Sequence, residues 1–357
     1  MTRRVVDSQL SNLLRIALVA LSCIAGAAAA IARQPARAVL TLYFLDAEGG
    51  QATLIVTPDN QSLLVDTGYG RDVARVVDAV REAGLSRIDR LLLTHFHVDH
   101  IGGAVALARQ FPIGELFDHG NIDVPDDAEM RDTFEQYRHM RDQMPHSQPG
   151  VGTQLRLGDA ELTWVSSDTH TLRRSLTPFG AANPACAQDA PEAEDPVENT
   201  RSTGFLLRFG RFRFLDVGDL TGPPLAALVC PANLLGMVDV YLLPHHGEDD
   251  GATPATLDAL RPRAVVINNG PRKGARAGTL DLLHARSAIT DVWQLHRATN
   301  PRVVNFADER IANLDTSTAH WIKVEAGKDG SFSVTNARTG EMTYYPSALG
   351  GPRAGAR

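Results

Sequence analysis

Thr94-His95-Phe96-His97-Val98-Asp99-His100-Ile101-Gly102-Gly103 decides the fold of this chain. Three histidines and an aspartate fall between positions 95 and 100, a density that packing alone seldom requires. In an extended turn His95 and His97 point the same way, whereas Asp99 and His100 reach in another direction. One loop can therefore offer first ligands to two neighbouring metal ions. Neutral imidazoles suit zinc, and a carboxylate completes an open, catalytic coordination sphere. Just before this run, Ile88-Asp89-Arg90-Leu91-Leu92-Leu93 reads as a buried strand. A strand that enters a ligand loop and leaves through a helix opened by Gly102-Gly103 is an active-site arrangement, not a solvated His-rich turn.

Further strands and turns flank it. Val39 to Asp46 and Ala52 to Val56 alternate or run apolar around Gly49-Gly50, as paired strands do. Leu63-Leu64-Val65 ends in Asp66-Thr67-Gly68. Downstream lie Phe214-Leu215-Asp216-Val217-Gly218-Asp219 and Val240-Tyr241-Leu242-Leu243-Pro244-His245-His246-Gly247. Taken in order from residue 39 to about 300, these segments resemble the metallo-β-lactamase superfamily. Within it they resemble the hydrolase domain of ComEC-type competence proteins and its free-standing relatives.

That resemblance implies a single-domain αββα four-layer sandwich with its ligands on loops at one edge. It implies two divalent ions, two Zn²⁺ or Mn²⁺ in their place. His95, His97 and His119 resemble the ligands of the first, and Asp99, His100 and His246 those of the second. Asp219 resembles the carboxylate bridging both. His-Gly is the usual final pair of the superfamily, which favours His246 over His245 as ligand and leaves His245 as a substrate contact or acid. Asp66 resembles a partner that orients a ligand imidazole. Water between two such ions ionises near neutral pH, against about 15.7 in bulk. Asp99 can both ligate and accept the nucleophile's hydrogen. The expected chemistry is phosphodiester or phosphoester hydrolysis; acyl hydrolysis of a lactone, thioester or β-lactam, or metal binding without catalysis, are the alternatives.

Two segments are candidates for reading the substrate. Asn199 stands in Asn199-Thr200-Arg201-Ser202, where ComEC-like relatives carry an Asn-rich turn. Asn269, Arg272 and Lys273 follow the strand Ala264 to Ile267 and combine amides, a tight turn and two cations, a set suited to an anionic group. The chain also departs from the branch. Asp46-Ala47-Glu48-Gly49-Gly50-Gln51 lacks the last acid of Asp-x-Gly-Gln-Gly-Asp, and His245-His246-Gly247-Glu248 carries a carboxylate where relatives have serine. An added acid beside the site is expected to repel a polyanion.

The N-terminus sets the compartment. Arg3 and Arg4 precede an apolar run from Leu13 to Ile31, interrupted by Arg15 and followed by Ala-x-Ala sites at 28–30 and 30–32. This reads as a signal peptide over residues 1–32, removed on export to the periplasm or medium, with no stable span in the mature chain. Lipid attachment at Cys23 is the alternative, although position 20 is alanine where a lipoprotein signal has leucine. Removing Arg3, Arg4, Arg15 and Asp7 from 35 basic and 42 acidic residues leaves 32 against 41, a balance of −9. That balance counts against duplex DNA as a partner, because phosphate neutralisation drives such affinity; a small molecule or phosphoester is expected instead. Cys186 and Cys230 are the two cysteines left, an even number that permits a disulfide after export.

The hydrolase domain is expected to span residues 33–357. Residues 121–200 form an insertion or lid, with a helix over 126–142 and a hairpin at Gln154 to Val165. Leu225 to Leu235 reads as largely helical, and residues 301–357 as C-terminal strands and tail. The sequence carries no signal for an oligomeric state.

Overall fold

A computed structural model describes residues 38–120, 128–177, 180–188, 198–287, 289 and 291–347. The signal-peptide expectation and Cys23 lie outside the described residues.

Two sheets of nine strands each carry the fold. The first runs from the C-terminal pair Phe332–Asn336 and Met342–Tyr345 through Ile322–Ala326 to Leu40–Phe44, Thr53–Val56, Ser62–Val65, Ile88–Leu92 and Ile113–Phe117, ending at His146–Ser147. Along the second sheet lie Ile311–Asn313, Asp291–His296, Ala264–Ile267, Val240–Leu242, Phe212–Asp216, Gly204–Phe209, Ala160–Ser167 and Gln154–Leu157, with His170–Thr171 added beside Ala160–Ser167.

The burial pattern explains why these layers stack. Leu40, Leu42 and Phe44 alternate onto the face that meets Trp164, Phe205, Phe214 and Val240 of the other sheet. Residues on the opposite faces, such as Leu54, Leu64 and Leu91, pack against the helices Val73–Glu82 and Ala128–Arg141. Tyr241, Val265 and Val292 pack against helices Gly222–Ala227, Pro254–Leu260 and Ala277–His284. Three apolar interfaces between four layers make an αββα sandwich. Central strands covered on both faces read as continuous apolar runs, which is why Leu63-Leu64-Val65 and Leu91-Leu92-Leu93 show no alternation.

One helix boundary differs from expectation. The helix expected over Leu225 to Leu235 occupies Gly222–Ala227 instead. Pro223 and Pro224 suit its first turn, where no amide donor is needed, and Pro231 cannot continue it. The helix expected after Gly102-Gly103 is present as Ala104–Ala108 with Gly103 at its N-cap, and a separate short turn, Val98–Ile101, precedes it and carries Asp99 and His100. Ala128–Arg141 falls within the expected helix, and Gln154–Leu157 pairs with Ala160–Ser167 as a hairpin. Cys186 and Cys230 are joined in a disulfide.

Parallel pairing places the site. Ser62–Val65, Ile88–Leu92 and Ile113–Phe117 are mutually parallel, as are Phe212–Asp216, Val240–Leu242 and Ala264–Ile267. The loops that begin at Asp66, Leu93, Asp118, Val217, Leu243 and Asn268 therefore all leave the carboxyl ends of parallel strands. Crevices at such ends are where open α/β sheets bind ligands.

Candidate metal centre

The turn Asp66-Thr67-Gly68 holds the ligand loop in place. Thr67 N and Oγ1 both donate to the His100 carbonyl at 2.8 Å. Gly103 N donates to Gly68 O, and a Cβ on Gly103 would sit 2.6 Å from Thr67 O, so only glycine allows this approach. Asp66, fully buried at φ 58°, accepts from Thr94 N at 2.7 Å and Thr94 Oγ1 at 2.8 Å, and its Oδ2 lies 2.8 Å from His100 Nδ1. That contact orients the His100 ring and leaves Nε2 facing the site.

Asp99, His100, Asp219 and His246 converge there, all buried, with one donor atom from each within 4.8 Å of the others. Asp219 Oδ2 stands 3.2 Å from both His100 Nε2 and His246 Nε2, and Asp99 Oδ2 stands 3.3 Å and 3.1 Å from them. His245 and His246 adopt left-handed backbone at φ 50° and 56°. Such a conformation costs roughly 1–2 kcal/mol per non-glycine residue. It divides the pair: His246 turns into the cluster, while His245 Nδ1 meets Asp250 at 2.8 Å and its Nε2 lies 3.4 Å from Asn199 Nδ2.

The histidine side is looser. His95 Nε2 lies 3.8 Å from Asp219 Oδ2 and 2.9 Å from His97 Nδ1. His119 Nε2 meets Glu198 Oε1 at 2.9 Å, and the same oxygen accepts from Phe96 N at 2.6 Å. Sequence reasoning did not single out Glu198. Its partners are 79 and 102 residues away, and it adjoins an acidic stretch that hides it.

Electrostatics agree with a cation site. Burial alone would raise the carboxyls of Asp99 and Asp219, yet the imidazole of His100 beside them holds both well below the usual range. Burial alone would lower His100, but Asp219, Asp66 and Asp99 push it well above the ordinary histidine value. Burial, together with the neighbouring His100, keeps His95 well below that value, so it stays neutral and able to ligate. Asp219 Oδ1 is buried with no hydrogen-bond partner. Two carboxylates, imidazole nitrogens beside them and an orphaned carboxylate oxygen fit divalent ions of the zinc type.

The remaining expected residues divide. Asn269 is fully buried, and its amide donates to the Gly270 and His296 carbonyls, so it shapes the loop and does not face the site. Arg272 is exposed. Lys273 reaches into the cluster and pairs with Asp99 Oδ2. Glu248 is held by Arg276 and by Gly274 N, so the repulsion expected from its charge is largely neutralised. Gln51 donates to both oxygens of Asp216 and accepts from Asn268. Gly50 packs under the ligand loop, where a Cβ would lie 2.4 Å from Asp99 O.

A four-layer sandwich with histidine and aspartate donors at the carboxyl ends of its parallel strands frames a candidate metal centre. Residues 45–171 match the family model described as the Metallo-beta-lactamase superfamily. Among curated proteins it is similar to a hydroxyacylglutathione hydrolase of Xanthomonas euvesicatoria pv. vesicatoria, 31% identical over 117 residues. That match covers 33% of this chain and 37% of the relative. An atrochrysone carboxyl ACP thioesterase of Passalora fulva is 39% identical over 64 residues, 18% of this chain and 19% of the relative. The chain thus matches well under half the length of these relatives. Among solved structures, the metallo-beta-lactamase fold protein YhfI of Bacillus subtilis aligns with TM-score 0.43 at 14% identity, over 72% of this chain and 96% of its own.

Proposed function

We propose that the protein is a metal-dependent hydrolase acting on an acyl substrate, a thioester or lactone. The observation that carries the reading is the buried convergence of Asp99, His100, Asp219 and His246, with His95 next to Asp219. Divalent ions held by these residues and by His97 would supply an activated water near neutral pH and an electrophile for the substrate oxygen. Asp99, at the mouth of the cluster, accepts the proton of the attacking water. His245, oriented by Asp250 and partly exposed, is placed to return a proton to the leaving group. The acyl class is supported by the relatives, one named a hydroxyacylglutathione hydrolase and another a thioesterase.

Phosphoester cleavage is the second reading. It is supported by the ComEC-like order of motifs and by the pairing of Glu248 with Arg276, which removes one objection to an anionic substrate. Lys273 and the exposed Arg272 add positive charge at the rim. Action after export is part of the proposal, and the Cys186–Cys230 disulfide supports an oxidising compartment.

A parallel assay separates the classes. Thiol release from a hydroxyacyl glutathione thioester and nitrophenol release from bis(4-nitrophenyl) phosphate are followed with added Zn²⁺ or Mn²⁺. Metal-dependent thioester turnover lost in Asp99→Ala supports the acyl reading. Turnover of the phosphodiester alone transfers the proposal to phosphoesters, and inactivity of folded, metal-loaded protein towards both refutes it.

A further inference from the structure

The acidic side of the centre already contains a cation supplied by the chain. Lys273 stands on the loop after Ala264–Ile267, and that loop is closely fixed. Gly270 N donates to the Lys273 carbonyl at 2.9 Å. Asn269 ties the loop to His296 O at 2.8 Å, and Thr299 N donates to Pro271 O at 2.8 Å. Gly270 lies so close to Glu48 that a Cβ would come within 2.3 Å of its carbonyl oxygen, and a Cβ on Gly49 would lie 2.9 Å from that of Lys273. The lysine backbone is therefore positioned by its own turn and by the segments at Glu48–Gly49 and His296–Thr299, and the side chain, 32% exposed, extends inward. Its ammonium pairs with Asp99 Oδ2, the same oxygen that stands 3.1 Å from His246 Nε2 and 3.3 Å from His100 Nε2.

We propose that Lys273 is a built-in competitor for the second metal ion, weakening binding at Asp99, His100, Asp219 and His246 relative to the histidine side. An ammonium and a divalent ion cannot both sit against one carboxylate oxygen without strong repulsion in a partly buried site. Binding the second ion must displace Lys273 from Asp99. At limiting metal the chain then holds one ion, with the lysine charge beside Asp99. When the second ion enters, the freed ammonium remains on the rim next to Arg272, available to an anionic group of the substrate. This inference rests on the metal-centre reading above but not on the choice between acyl and phosphoester substrates.

The test is metal binding itself. The full chain is stripped with chelator and titrated with Zn²⁺ by calorimetry, and retained metal is counted by elemental analysis after desalting. Lys273→Met and Lys273→Arg are measured alongside, with thermal melts to establish folding. The expected result is one retained ion in the wild type and in Lys273→Arg. In Lys273→Met a second ion should be retained and bind about tenfold or more tightly than in the wild type, as expected when one opposing charge is removed. Equal second-site affinity in the wild type and Lys273→Met overturns the competitor role while leaving the metal centre standing. Absence of metal binding in all three folded proteins overturns both.

Discussion

The two sides of the candidate centre are built from different physics. On the acidic side, Asp99 and Asp219 draw His100, His246 and Lys273 together, and one donor atom from each of Asp99, His100, Asp219 and His246 lies within 4.8 Å of the others. On the other side, burial holds His95 and His97 below the ordinary histidine value, so neither has a charge of its own to gather partners. His95 and His97 share a contact, and His119 meets Glu198. Carboxylates preassemble a site because they attract whatever cation is at hand, a proton or an ammonium included. Neutral imidazoles do not, so the histidine side is expected to be completed by the ion itself.

Asp219 is where the two sides meet, and it offers the strongest way to break the contrast. Its Oδ2 lies within 3.8 Å of His95 and within 3.2 Å of His100 and His246. Asp219→Asn removes the charge shared by both sides with little change in shape. We expect both ions to bind more weakly and hydrolysis to fall by about 10³-fold or more, the scale of losing a principal electrostatic group at a reacting centre. Unchanged metal content in the variant would show that the two sides do not share this residue.

Asp66 comes next, because it meets the acidic side directly through His100 and the histidine side only through Thr94, whose Oγ1 lies 3.1 Å from His95 Nδ1. The Asp66 carboxylate meets His100 Nδ1, and the other side-chain hydrogen bonds it accepts come from Thr94. Asp66→Ala is expected to weaken acidic-side metal affinity about 10–100-fold, the usual cost of losing such an orienting partner. Calorimetric titration should show the histidine-side constant nearly unchanged. Equal losses on both sides would mean that Asp66 supports the whole loop and not one imidazole.

These contrasts also explain what was legible in the sequence. Local clusters were readable: His95 to His100 lie in one loop, and the apolar runs around them specified strands and the αββα layers. Single residues whose role depends on distant partners were not. Lys273 and Asp99 are separated by 174 positions, and Glu198 and His119 by 79. Asn269 looked like a recognition amide because its neighbours are cations, yet tertiary packing turned it to the His296 backbone. Glu248 looked like a free acid because Arg276 stands 28 positions on. The misplaced helix boundary at Leu225 reflects a periodic apolar pattern continuing past the point where Pro231 stops the backbone.

Glu198 sharpens the histidine side. For His119 to ligate an ion through Nε2, its contact with Glu198 has to break. Glu198→Gln keeps an acceptor for Phe96 N but removes the negative charge, and charge-assisted hydrogen bonds are about twice as strong as neutral ones. First-ion affinity is therefore expected to rise about three- to tenfold. Co²⁺ absorption, which reports ligand number, should also move towards a third imidazole. Weaker binding would instead make Glu198 part of the ligand set.

The smallest expected effect concerns the frame behind His119. Asp118 is fully buried, accepts from Tyr137 Oη at 2.5 Å, and meets His146 at 2.8 Å and Arg141 at 3.3 Å. Burial pushes its carboxyl up, but the hydrogen bonds from His146 and Tyr137 outweigh that and hold it below the ordinary aspartate value. Below the unfolded pKa of about 3.9 the unfolded chain takes up a proton that the folded chain refuses, so stability falls with falling pH. The contribution is complete above that value and is lost as pH drops through the lower folded one. Asp118→Asn should cost about 1–3 kcal/mol at pH 7, the range for a disturbed buried hydrogen-bond network. Its deficit relative to the wild type should shrink as pH falls from about 5 towards 2, because only the wild type has this proton to gain. Thermal melts across that range decide it: a constant deficit would mean that Asp118 holds the His119 loop by shape alone.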